Sequence, residues 1–224
     1  MAHGRKVSRI KLEPPNPEDE KKYLLTWGAK ELYQNPGKFP QINCQNLFGS
    51  PGSLQIEIGC GTGDYICGLA LEESIDKFIG IDFSKRAIYS AVNLAARRKL
   101  DNIRFIRADF RQLYPLFRPN SLSMIYLHFP DPNYKAKHMK LRIFDKKFLD
   151  HMVIALIPNG KISVVTDEEP FFEDMLSLVE GDIRFAKTHQ ERYLNTFTPI
   201  AKSRFHLAWE RINLPIFRFE IKKK

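Results

Sequence analysis

Residues able to do chemistry recur at one kind of place in this chain. "EIGCGTG", with Glu57, Gly59, Gly61 and Gly63, follows the apolar run LQIEI; Asp82 follows KFIGI, Asp109 follows IRFIRA, Asp131 follows SMIYLH, and Asp167 follows GKISVVT. Glycines let a backbone turn sharply and approach a ligand closely. A dinucleotide fingerprint needs Gly-x-Gly-x-x-Gly with a helix N-terminus facing the pyrophosphate. Here the third glycine comes one residue early, Asp64 takes its place, and Glu57 sets negative charge beside the loop. That charge disfavours a phosphate and favours an adenosyl ligand that carries cations, such as the sulfonium and amino group of S-adenosylmethionine. Asp82 lies 23 residues beyond Gly59, close to the ~20-residue offset of an acid that hydrogen-bonds ribose hydroxyls. Asp109 suits an adenine amino group. Each acid would also serve as a helix cap; their recurrence at successive strand ends is what points to one ligand.

Asp131 stands between Pro130 and Pro132, whose rings restrict the local backbone and help position a carboxylate. It would face both a sulfonium and a methyl acceptor. Lys135, Lys137, His138, Lys140 and Arg142 follow. A cationic run beside a reaction centre suits a phosphate backbone, whose contacts fix register; a solvated helix face is the alternative. Asp167 could receive the N1 and N2 hydrogens of guanine or cap a helix.

These positions require an alternating scaffold. Strands over LQIEI, KFIGI, IRFIRA, SMIYLH and GKISVVT are separated by helices predicted at 64–73, 84–98, 110–117 (short) and 140–156, with PFFEDMLSLVEG helical after the fifth strand. This order implies right-handed βαβ units and an open, mostly parallel, seven-stranded Rossmann-like α/β sheet with helices on both faces. IRFAKT and LPIFRFEI read as strands, one of them antiparallel near the C-terminus, and Ser203 caps a helix running to about Asn213. Ligands of such sheets bind beyond the carboxyl ends of the strands. Upstream, NPEDEKKYLLTWGAKELYQNPG reads as one helix, with Asn16 as N-cap and Pro17 at its first position, and 37–53 as a loop. Residues 1–15 are expected to be a flexible basic segment and 16–224 a single domain.

The chain has 224 residues, 43% hydrophobic and 27% charged, the composition of an ordinary globular domain. No apolar run has the length of a membrane span, and "MAHGRKVSRIKLEPPNPEDEKK" lacks the apolar core of a secretory signal. Cys44, Cys60 and Cys67 form no CxxC pair, and the six histidines form no HExxH, so neither a disulfide frame nor a metal site is expected. These features imply a cytoplasmic protein without membrane or metal; a monomer or homodimer is expected. The formal net charge of +9 suits a polyanion. It gathers at Arg5, Lys6, Arg9 and Lys11, at Lys135 to Lys147, and from Lys202 to Lys224.

With these motifs the chain resembles the bacterial tRNA (guanine-N7)-methyltransferases. The resemblance rests on FGSPGSLQIEIGCGTGDY, FIGID, NIRFIRADF, FPDP with its Lys/His/Arg tail, TD, and the C-terminal SRF and PIFRFE, roughly residues 45–221. FPDP with its tail is the most diagnostic part; the glycine loop alone indicates only a class I methyltransferase. The resemblance implies that Glu57, Gly59, Gly61, Gly63, Asp82, Asp109 and Asp131 contact S-adenosylmethionine, with Asp131 catalytic. It implies that Lys135, Asp167, Ser203, Arg204, Phe205 and His206 face a guanosine of the tRNA variable loop (position 46), and that Lys137, His138, Lys140 and Arg142 meet the RNA backbone. Two departures stand out: Asn133-Tyr134 replace Trp-Pro or Trp-His after FPDP, and His206 replaces a glutamate. The alternatives are an amino-group methyltransferase of the Asp/Asn/Ser-Pro-Pro-aromatic type, which DPNY approaches, and an RNA-binding relative without catalysis.

Overall fold

A computed structural model describes residues 11–132, 142–196 and 198–224. Eight strands form one sheet: β1 (Leu24–Thr26), β2 (Leu54–Ile58), β3 (Lys77–Asp82), β4 (Ile103–Arg107), β5 (Leu122–His128), β6 (Leu156–Thr166), β7 (Phe185–Lys187) and β8 (Phe217–Lys223), in the order β1-β4-β3-β2-β5-β6-β8-β7. The first six run parallel to one another, and β8 runs antiparallel to both β6 and β7. From β2 the chain winds outward through β3 to β4, then crosses to β5 and winds the other way. The strand order therefore reverses between β2 and β5.

The described helices are α1 (Pro17–Tyr23), α2 (Ala29–Gln34), α3 (Cys44–Phe48), α4 (Asp64–Glu72), α5 (Lys85–Arg97), α6 (Lys146–Ala155), α7 (Glu169–Glu180) and α8 (Arg204–Arg211). The sheet's alternation divides them into two layers. Ile56, Ile58, Ile125, Leu127, Ile162 and Val164 face Phe148 and Met152 of α6 and Phe171, Phe172 and Met175 of α7. On the other face Phe78 and Phe105 meet Ile66 and Leu69 of α4, Ile88 and Val92 of α5, and Tyr23 of α1. Each such buried side chain contributes roughly 1.5–3 kcal/mol relative to exposure.

The structure corrects three readings. The sheet has eight strands rather than seven, and the extra one comes from the stretch read as a single N-terminal helix. α1 begins as expected, with Asn16 accepting from the Asp19 N–H and Pro17 in the first turn, but it stops at Tyr23. Leu24, Leu25 and Thr26 then pair with Phe105, Ile106 and Arg107 of β4. An edge strand with open ladder groups gains hydrogen bonds from this long-range pairing, which local periodicity does not reveal. The 37–53 loop contains α3, whose N-cap Asn43 accepts from Asn46 N–H and whose C-cap Gly49 is left-handed. The helix read from 140 starts at Lys146, because Asp145 accepts from the Phe148 N–H at 2.7 Å and caps it. It ends at Ala155, within a residue of the expected end, and β6 begins at Leu156. Among the described residues no helix is long and apolar enough to cross a membrane.

Candidate active site

The carboxyl ends of β2, β3, β4 and β5 enclose a cavity of ≈ 480 Å³ across the point where the strand order reverses. Gly59, Asp82, Asp109 and Asp131 line it together. Ligands of doubly wound sheets bind at this place.

The glycine loop is built by three left-handed residues, Gly59, Gly61 and Gly63, with φ of 74°, 54° and 77°. Above Gly59 and Gly61 the space is open, with no atom within 4 Å of where a Cβ would stand. Gly59 and Cys60 donate to the Ile81 carbonyl at 2.8 and 3.1 Å. Asp82 fixes the loop from the next strand: its Oδ2 accepts from Gly61 N–H at 3.0 Å and its Oδ1 from Ser84 N–H at 2.8 Å. Burial raises the Asp82 pKa, opposed by hydrogen bonds from the Ser84, Gly61 and Phe83 amides. Ser84 caps α5, accepting from the Ala87 N–H.

Asp109 caps the 3₁₀ helix Phe110–Leu116, accepting from Arg111 N–H, and the Arg111 guanidinium holds it at 2.6 Å. That pairing lowers the Asp109 pKa. Asp131 is exposed at the end of β5. The turn before it is fixed by Phe129, which adopts φ 52°, a left-handed conformation uncommon for a non-glycine residue. Phe129 N–H donates to the Val165 carbonyl at 2.7 Å. Its ring packs with Val165, Ile216, Phe205 and Trp209.

Other predicted residues lie elsewhere. Glu57, only 3% exposed, does not line the cavity. Its carboxyl lies at the start of α4, where the Ile66 amide donates to it; burial pushes its pKa well above the usual carboxylate range, Asp64 and Asp82 push the same way, and the Ile66 bond opposes them. Its Oε2 has no hydrogen-bond partner. Gly61 and Gly63 shape the loop from outside the lining. Asp167 is half-buried after β6, and Glu168 rather than Asp167 holds the N-cap position of α7. The Ser203 hydroxyl caps α8 by accepting from the His206 N–H. Arg204 is exposed. Phe205 stacks on Phe129 at 6.0 Å, and His206 meets the same ring edge-on at 6.1 Å. His206 is 6% exposed and lies 3.3 Å from Glu210. It lines a second cavity with Tyr65, Tyr126, His128, Ser163 and Arg218 along the polar face of the sheet. Arg142 points inward instead of to solvent, against Asp174. Asn133, Tyr134, Lys135, Lys137, His138 and Lys140, with Arg5, Lys6 and Arg9, lie outside the described residues.

Sequence reasoning missed the apolar half of the cavity. Phe83, 78% exposed, Phe110, Leu127 and Ile143 line it with the acids. The signal was present: Asp82 and Asp109 are each followed directly by Phe. Purine-sized ligands are held by apolar walls with a few placed polar groups, and this cavity has both.

Residues 51–219 match the family model described as "Putative methyltransferase". The chain is 44% identical over 217 residues to a tRNA (guanine-N(7)-)-methyltransferase of Rubrobacter xylanophilus, covering 97% of each. The chain belongs to this methyltransferase family. A protein of the same name from Chloroherpeton thalassium is 39% identical over 221 residues, covering 99% of this chain and 98% of that one. Among solved structures, an rRNA methylase from Streptococcus thermophilus superposes with a TM-score of 0.52 at 18% identity, covering 77% of this chain and 87% of that one. At that identity it speaks for the shared Rossmann-like fold. For this methyltransferase, family and architecture agree with the cavity's place at the reversal of strand order.

Proposed function

We propose that this protein transfers a methyl group from S-adenosylmethionine to N7 of a guanosine in tRNA, in the variable loop, and that the cavity at the ends of β2 to β5 holds the donor. The observation that carries this reading is the meeting of Gly59, Asp82, Asp109 and Asp131 around one cavity in a chain so similar to curated tRNA (guanine-N(7)-)-methyltransferases. The residues fit a cationic adenosyl donor. Three carboxylates and one guanidinium line the cavity, and that guanidinium is already paired with Asp109. A pyrophosphate would meet repulsion here. The open space over Gly59 and Gly61 admits a ligand close to the backbone.

In this reading Asp82 binds ribose hydroxyls, Asp109 the adenine edge, and Phe83 and Phe110 flank the purine. The bound donor supplies an electrophilic methyl group. Guanine N7 carries an in-plane lone pair and no proton, so no general base is needed. The protein's task is alignment, and holding two reactants in near-attack geometry can lower a barrier by ~7–11 kcal/mol. Asp131, at the rim of the cavity, orients the cationic centres and stabilises positive charge moving toward the purine. Phe205 and His206, packed on Phe129, support the turn that carries Asp131. Asp167, Ser203 and Arg204 face the incoming guanosine, and the basic chain attracts the RNA through its phosphates. Calorimetric titration with S-adenosylmethionine and, separately, NAD tests the donor assignment. Saturable binding of the first alone is expected; binding of NAD alone would overturn it.

A further inference from the structure

We infer that Arg142 is a positioning residue that ties the Asp131 turn to the helix following Asp167, rather than a contact to the RNA backbone. The inference rests on the proposed function above for its kinetic consequences, but its structural content stands on the geometry alone. Arg142 belongs by sequence to the cationic tail of FPDP. Its side chain is nevertheless only 15% exposed. The guanidinium Nε donates to the Pro132 carbonyl at 2.8 Å, and Nη1 donates to Asp174 Oδ2 at 2.8 Å. The guanidinium carbon lies 4.6 Å from the centre of the Phe171 ring, and Phe171 is buried in the main core. Two edges and one face of the group are thus committed within the protein.

The partners explain the consequence. Pro132 directly follows Asp131 and has no N–H, so its carbonyl is its one backbone handle. The entry to the turn is already anchored through Phe129 N–H on the Val165 carbonyl. Arg142 anchors its exit. Phe171 and Asp174 both lie on α7, which begins two residues after Asp167. One side chain therefore joins the loop that carries the proposed catalytic acid to the helix that follows the proposed base-facing acid. The task needs a planar group with several fixed donors, which Lys does not provide.

Steady-state methyl transfer to unmodified tRNA, tRNA affinity as a function of salt, and hydrogen exchange of the peptide covering residues 127–132 test this on R142A, R142K and D174A. Small misplacements of reacting groups cost up to about 10²-fold. The expectation is a kcat lowered roughly 10- to 100-fold in R142A, with KM for tRNA and the salt slope of binding unchanged. R142K should fail to rescue it, D174A should lose part of the same kcat, and exchange at 127–132 should rise in all three. A phosphate contact would instead raise KM, reduce the salt slope by about one, be rescued by R142K and be indifferent to D174A. That pattern, or exchange at 127–132 that stays at the wild-type level, overturns the inference. Wild-type protein that transfers no methyl would defeat the functional reading, and the exchange measurement would still decide the role of Arg142.

Discussion

Replacing Gly63 and Gly59 by alanine should damage the protein in different ways, although both have nearly the same backbone angle. Gly63 has φ 77° and Gly59 φ 74°, so each alanine pays roughly 1–2 kcal/mol for a left-handed residue. Their surroundings differ. A Cβ on Gly63 would stand 2.8 Å from the Cβ and 3.2 Å from the Cα of Ala91, and Ala91 is fully buried on α5. The helix backbone would have to move, and overpacking of this kind costs about 1–3 kcal/mol. A Cβ on Gly59 would meet nothing within 4 Å. G63A should therefore lose about 2–5 kcal/mol and G59A about 1–2 kcal/mol, with Tm falling by roughly 2–4 °C per kcal/mol at this chain length. Gly59 lines the cavity, so G59A should lower affinity for S-adenosylmethionine by more than its stability loss implies. A91G, which alone costs about 1 kcal/mol as a helix glycine, should relieve G63A and leave G59A unaffected. Denaturant unfolding of the three single variants and of A91G combined with each glycine variant, with calorimetric titration of the donor, reads all of these quantities. Equal stability losses in G63A and G59A, or strict additivity of A91G with G63A, would refute the packing argument.

Further outcomes follow from the same geometry. Asp131→Asn should lower kcat about 10²- to 10³-fold, the scale on which removal of one preorganised electrostatic group acts. The factor should be the same at every pH assayed, because N7 has no proton to remove; a loss confined to one side of a titration would show Asp131 acting as a base. His128 sits against Ser163 and Tyr65, and burial, with Arg218 and His206 nearby, lowers its pKa from 6.5 to about 3. The native state thus rejects a proton that the unfolded chain accepts below pH 6.5. Its stabilising contribution is complete above 6.5 and falls as pH drops toward 3, by at most about 1.4 kcal/mol per pH unit. The stability gap between wild type and H128Q should narrow between about pH 6.5 and 4; a constant gap would mean that His128 is already charged in the fold.

The sheet was legible because β2 to β6 are short apolar runs separated by helix-length segments, a pattern with few topological solutions. The cavity was legible because its acids end those runs. The unread parts depended on partners distant in sequence. Leu24 to Thr26 became strand through β4, some 80 residues on, while the sequence around them carried good helix signals. Arg142 stands in a basic run, and only the folded chain shows that Pro132, Asp174 and Phe171 surround it. His206 replaced a glutamate in a motif expected to face substrate, yet it packs under Phe129 and pairs with Glu210, a helical neighbour whose role the motif did not suggest. Phe83 and Phe110 directly follow Asp82 and Asp109, but an aromatic residue after a strand end is as common in a core as in a ligand wall.

In the proposed function, this sheet rim presents a methyl donor to the N7 atom of a tRNA guanine. The most direct test is to incubate the protein with labelled S-adenosylmethionine and tRNA lacking the modification, digest the RNA to nucleosides, and locate the label by mass spectrometry. Label on 7-methylguanosine from the variable loop is the predicted result. Label on an exocyclic amino group, or none on RNA from a protein that binds the donor, would contradict it.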